Sequence, residues 1–196
     1  MNPRLLFVPG ILAGLVFFSA VFALAPFVDG YSHVSRTVSE IGRAGSPVEL
    51  AWQIAMIAVA LCLLAFAWGL YRFAGENGLP KLPAWFMAFF AVSELGLAAF
   101  PTPHQLHNVF GLSLTIGYMT PLVLALSWRR LESSRRLIGI SWLGFLLVAV
   151  AIFLNLSPLF ARDLYPLEYY GLVQRSLFVA FFGWCLLAGL ALYARK

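Results

Sequence analysis

Apolar residues gather in six long stretches, at roughly residues 4–28, 48–71, 83–100, 108–128, 137–156 and 172–194, with short polar breaks between them. A helix needs about 20 apolar residues to cross a hydrocarbon core roughly 30 Å thick; five of the stretches reach that length and the third is marginal. The runs are continuous in Leu, Ala, Val and Phe and show no period-two alternation, which excludes a membrane β-barrel. A backbone in lipid has to satisfy its own hydrogen bonds, so each run is a helix. The pattern predicts an all-α, polytopic integral membrane protein, a single transmembrane domain over residues 1–196 with six transmembrane helices.

Composition agrees with this, at 62% hydrophobic and 11% charged residues against about 25% charged in soluble domains. A net charge of +5 could suggest nucleic acid, but the loops divide it by side. One side holds Arg4, Arg72, Lys81, Arg129, Arg130, Arg135, Arg136, Arg195 and Lys196 against Glu76 and Glu132, nine against two, or +7. The other holds Arg36, Arg43, Arg162 and Arg175 against Asp29, Glu40, Glu49, Glu94, Asp163 and Glu168, four against six, or −2. The positive-inside rule then places both termini in the cytoplasm and the protein in the inner (plasma) membrane. The run Arg129-Arg130-Leu131-Glu132-Ser133-Ser134-Arg135-Arg136 reads as a topology-setting loop; it is too short and too close to the membrane for a nucleic-acid site. Arg4 before an apolar run that ends in Ala23-Leu24-Ala25 also resembles a signal peptide, but the run exceeds a usual signal core and is read as a retained first helix. Gly10 and Gly14 on that helix have the spacing that lets another helix approach closely. Cys62 and Cys185 both fall within apolar helices and imply no disulfide framework.

Polar residues inside the stretches change the picture, because they collect toward the outward ends of their helices. Gln53 opens the second helix, Glu94 lies late in the third, His107 and Asn108 start the fourth, Asn155 ends the fifth, and Gln174 and Arg175 open the sixth. Their convergence predicts one outward-facing polar pocket. Glu94 stands six residues before Phe100, about 9 Å inside the helix end at 1.5 Å per residue. A charge at depth needs a partner, a proton or water, and Arg175, at a similar depth on the same side, is the expected partner.

The first outward loop, from Tyr31 to Gly42, predicts a short interfacial helix, with Val34, Val38 and Ile41 on one face and His33, Arg36 and Glu40 on another. Ser46-Pro47-Val48-Glu49 predicts a capping box for the second helix. All three histidines, His33, His104 and His107, fall on the outward side. His104 and His107 share a face if the fourth helix includes both, which makes them weak metal candidates. The sequence requires no cofactor.

Ser32-His33 and Ser39-Glu40-Ile41-Gly42 after the first helix, Phe100-Pro101 and His107-Asn108 at the fourth, and Gln174-Arg175 at the sixth carry a family resemblance. Along its whole length the chain resembles the six-helix prokaryotic membrane proteins grouped as domain of unknown function 998. More distantly it is similar to the Frag/DRAM/Sfk group through Ser39, Glu40, Gly42, Pro47, Glu49, His107 and Gly111. That second resemblance implies lipid handling.

Three functions fit the sequence. The first is a protein that binds or modifies a lipid or amphiphile in the outward pocket. Its ligand-binding candidates are Arg36, Glu94, His104, Asn108, Gln174 and Arg175, and its catalytic candidates His33, Ser39, Glu40 and His107. No G-x-S-x-G or H-E-x-x-H motif accompanies them, so catalysis is left undecided. The second is a small secondary transporter with Glu94 carrying a proton, and the third a noncatalytic scaffold that meets a protein partner or a second copy of itself. Membrane lipid is the expected partner in the first case.

Overall fold

The computed structural model describes residues 3–130, 135–161 and 163–195, and every regular element among them is helical. Seven α-helices follow in order: α1 (Val8–Leu24), α2 (Glu49–Glu76), α3 (Leu82–Ala99), α4 (Gln105–Gly117), α5 (Thr120–Ser127), α6 (Arg135–Leu156) and α7 (Tyr170–Tyr193). They make six spans long and apolar enough to cross a membrane, α4 and α5 together forming the fourth and 3-10 turns extending the first to Arg4–Phe27. Large apolar side chains such as Leu15, Leu50, Trp85 and Leu112 point outward around the bundle, as a lipid solvent demands. Six crossings return the chain to its starting side. The centre of the basic loop, residues 131–134, lies outside the described residues, as do Arg162 and Lys196.

Each span packs on its neighbours in sequence: α1 on α2, α2 on α3, α3 on α4 and α5, α5 on α6, α6 on α7, and α7 back on α1. The ring is therefore closed, but span four closes it unevenly. Its α5 half packs on α6, whereas α4 has almost no contact with α6 or α7. A seam is left there at one end of the bundle, called the pocket end below; the arginine-rich loops mark the basic end.

The interruption between α4 and α5 has a local chemical cause. Pro121 has no N–H, so the Gly117 carbonyl loses the donor four residues ahead that a continuous helix supplies. The Thr120 hydroxyl takes that place, donating to Gly117 O at 2.6 Å. Tyr118 and Met119 bridge the break, where the predicted fourth helix was continuous.

Small residues set the helix spacing. A Cβ on Gly10 would stand 2.8 Å from the Phe66 ring of α2, and one on Gly14 would stand 3.1 Å from Phe182 Cβ of α7. The two glycines of the G-x-x-x-G pair thus serve two different neighbours. Beneath the pocket end the core is aromatic: Phe90 stacks on Phe181 with centroids 4.2 Å apart, Phe17 stacks on Phe182 at 4.8 Å, and Tyr118 meets Phe90 edge-on at 5.0 Å. This layer fills the bundle centre on the way to the basic end.

The short helix after the first span is one 3-10 turn, Val38–Glu40, with residues 33–36 in turns. Val38 and Ile41 are buried as the pattern requires, but Val34 is exposed. Thr37 and Glu40 cap this turn: Glu40 Oε1 accepts from Thr37 N and from Thr37 Oγ1, both at 2.9 Å. The start of α2 differs from the predicted capping box. Val48 occupies the N-cap position, Glu49 Oε2 accepts from Gly45 N at 2.7 Å, and the Ser46 hydroxyl donates to Ile41 O at 2.6 Å. Glu49 is structural all the same.

A candidate site: the polar cavity at the pocket end

Helical spacing turns one face of each span toward the bundle axis. His107, Gly111, Leu114 and Tyr118 on α4 recur at four, three and four residues; Trp52 and Met56 on α2, Glu94 and Leu97 on α3, and Gln174, Leu177 and Phe178 on α7 follow the same rule. With Phe17 of α1, Asn155 of α6 and Val38 and Ser39 of the outer loop they enclose a cavity of about 190 Å³.

Several polar side chains arrive with one valence already committed. Gln174 Oε1 accepts from Val38 N at 2.7 Å, so its amide N–H groups remain. Asn155 Nδ2 donates to Ala151 O at 2.8 Å and Val173 O at 3.1 Å, so its Oδ1 remains. His107 Nδ1 lies 2.9 Å from Phe100 O. A carbonyl only accepts, which puts the proton on Nδ1 and leaves Nε2 an acceptor in the neutral ring. Glu94 is 4% exposed, and among the described residues no hydrogen bond or ion pair engages its carboxyl. Glu94 lines the cavity, so its carboxyl opens on that space and not on a protein partner.

The predicted Glu94–Arg175 pair does not form. The ion pairs among the described residues are Arg36–Glu40 at 3.9 Å and Arg72–Glu76 at 3.1 Å. Arg175 follows Gln174 directly, about 100° farther round the helix, and so turns away from the cavity that Gln174 lines. Its Nη1 donates to His33 O at 2.8 Å, Arg36 O at 2.9 Å and Gly171 O at 2.8 Å, and its Nη2 donates to the Tyr31 hydroxyl. Its buried Nε has no partner. Arg175 therefore anchors the first loop on α7, helped by Leu172 N donating to Val34 O at 3.1 Å. Gly171 permits the contact, since a Cβ there would stand 2.6 to 2.7 Å from the carbonyls of Arg36, His33 and Val34.

Other predicted site residues separate for similar reasons. Asn108, one residue past His107, is exposed and does not line the cavity. His104 lies outside the helix as its N-cap, its Nδ1 accepting from Leu106 N at 3.1 Å, so it shares no helical face with His107. Among the described residues no three His, Cys, Asp or Glu side chains gather as a metal site needs. Glu40 caps the 3-10 turn, and Arg36 lies beside it on the loop. His33 packs against Tyr31 and Phe22, both with centroids at 5.3 Å, away from Ser39. Burial, and then the Arg175 charge, push the His33 imidazole below the ordinary histidine range, so the ring is neutral at pH 7. Burial likewise pushes the Tyr31 phenol above its ordinary value, against the pull of Arg175. Tyr31 thus keeps its proton and donates to Thr37 O at 3.0 Å.

Of the residues predicted for the site or the pocket, the cavity brings together Ser39, Glu94, His107, Asn155 and Gln174. Trp52 and Tyr118 join them without having been singled out; Gln53, which was, does not line it. The signal for Trp52 was its four-residue spacing to Met56. Nothing in the sequence marked Tyr118 except its place before Thr120-Pro121.

The sequence pattern of the family described as "Protein of unknown function (DUF998)" matches residues 11–191. The chain belongs to that family. Every residue lining the cavity of this DUF998 protein falls within the match, as do spans two to five and most of the first and last. No curated protein and no solved structure matches the chain.

Proposed function

We propose that this DUF998 protein binds a membrane amphiphile, its polar head in the cavity beside Glu94 and its chain leaving along the seam between α4 and α6. The observation that carries the reading is the Glu94 carboxyl, with no protein partner among the described residues, opening on a cavity where Gln174, Asn155 and His107 each keep a valence unused. A buried polar group without a protein partner costs roughly 1–3 kcal/mol, and a ligand that supplies the bond offsets it. The seam supports lateral entry, since α4 bears on α3 and leaves α6 and α7 to α5 and α1. The charge bias of the loops supports a pocket end facing outward from the plasma membrane, with both termini cytoplasmic. Ser39 and His107 both line the cavity, but no hydrogen bond joins them, and the reading is of binding.

A second reading, a transporter with Glu94 carrying a proton, has one observation in its favour. The fourth span is interrupted beside the cavity, and interrupted helices mark transporter sites. The aromatic layer of Phe90, Tyr118 and Phe181 weighs against a path onward.

Native mass spectrometry of the protein released from mild detergent tests the binding reading. A Cβ on Gly111 meets nothing closer than Leu97 Cδ2 at 3.9 Å, so Gly111→Leu fills the cavity and leaves its polar groups in place. The parent should retain a lipid adduct that Gly111→Leu loses at an unchanged or higher melting temperature. Equal adducts in both proteins, or none in the parent, would reject the reading.

A further inference from the structure

The chemistry left at the cavity wall specifies the charge of its ligand. We infer that the head group is a protonated amine, held by the Glu94 carboxylate, an inference that rests on the amphiphile reading above. Glu94 is the one aspartate or glutamate among the residues that line the cavity. No arginine or lysine lines the cavity. Arg175, the nearest candidate by sequence, spends its guanidinium on the carbonyls of His33, Arg36 and Gly171 and on the Tyr31 hydroxyl.

Of the remaining valences Gln174 keeps N–H donors, and two other side chains keep acceptors that suit a cation. Asn155 has spent its N–H groups and offers Oδ1. His107 has spent Nδ1 and offers Nε2 as an acceptor. With Glu94 these make three acceptors, and an ammonium is a group of three donors with no acceptor of its own. Trp52, Phe17 and Phe178 add aromatic surface, Phe17 lying 6.4 Å from Trp52 and 4.8 Å from Phe178 between ring centroids. Aromatic faces attract a desolvated cation. An anionic head would meet the one acidic side chain of the wall and no arginine or lysine beside it. The volume of about 190 Å³ admits a compact head only.

The test uses three amphiphiles of one chain length in native mass spectrometry of the detergent-solubilised protein: dodecylamine, dodecanol and dodecanoic acid. The parent should retain the amine roughly tenfold or more over the acid, the ratio expected of one charge-assisted hydrogen bond. Glu94→Gln, equal in shape, should lose that preference and keep the alcohol. A further arm in lipid nanodiscs compares phosphatidylethanolamine with phosphatidylglycerol; retention of the first shows that the amine arrives on a lipid head group, and retention of dodecylamine alone that it arrives free. Equal retention of amine and acid by the parent overturns the inference without any variant, and so does an amine preference that survives Glu94→Gln. Retention of the alcohol with no preference between amine and acid leaves the amphiphile reading standing, whereas retention of none of the three removes both.

Discussion

A buried guanidinium has to find acceptors, and Arg175 finds them in backbone carbonyls instead of in the Glu94 carboxyl. Its planar fork reaches carbonyls on both sides of the first loop and a phenol as well, a set that a lysine ammonium on a flexible stem cannot span. The side chain is 8% exposed, so removing it strands carbonyl oxygens away from water. Arg175→Ala is expected to cost about 2–4 kcal/mol and Arg175→Lys most of that, read as a fall in melting temperature in detergent. If Arg175 were instead a ligand contact, both variants would keep the parent's melting temperature and lose only the adduct. The expected Glu94–Arg175 pair was a fair reading of depth and charge. It failed on rotation: Arg175 stands about 100° round the helix from Gln174, which puts its guanidinium on the carbonyls of the first loop and not in the cavity.

At the scale of elements, periodicity was legible and local chemistry was not. The apolar runs located the spans because lipid imposes a single solution, a helix, on any long run. The break in span four was hidden within such a run, since Tyr118, Thr120 and Pro121 do little to its hydropathy. It becomes visible only by asking which donor serves each carbonyl. That account makes a prediction of its own. Thr120→Val should leave Gly117 O without a donor in a fully buried position and cost about 1–3 kcal/mol. In a Pro121→Ala background residue 121 regains its N–H, and the same Thr120→Val change should cost well under half as much. A double-mutant cycle of unfolding measurements reads the difference as a coupling between neighbours; two strictly additive changes would show that the hydroxyl does not replace the missing backbone donor. The histidines illustrate the same limit. His104 and His107 look alike three residues apart, but the helix begins at Gln105, so one is a cap and the other a cavity wall.

Considered whole, the molecule is a ring of spans packed with aromatic rings toward the basic end and left polar at the other, and its function depends on which way that ring points. The convergence of polar groups at one end was legible because each helix shows them at the same depth. Which of them meet was not, because that depends on how each helix turns about its axis. Orientation adds a further step. The basic end carries Arg4, Arg72, Lys81, Arg129, Arg130 and Arg135 among its described residues, and insertion retains such loops in the cytoplasm. The cavity should then meet the outer leaflet, where an amine-bearing amphiphile would enter by the seam. Cysteine labelling decides this in intact cells. In a background with Cys62 and Cys185 replaced, a membrane-impermeant thiol reagent should modify a cysteine at exposed Ala44, in the loop that ends near Ser46. It should modify one at exposed Glu76, the last residue of α2, only after the membrane is permeabilised. The reverse pattern would turn the cavity to the cytoplasmic leaflet, and the source of any ligand would have to be sought there.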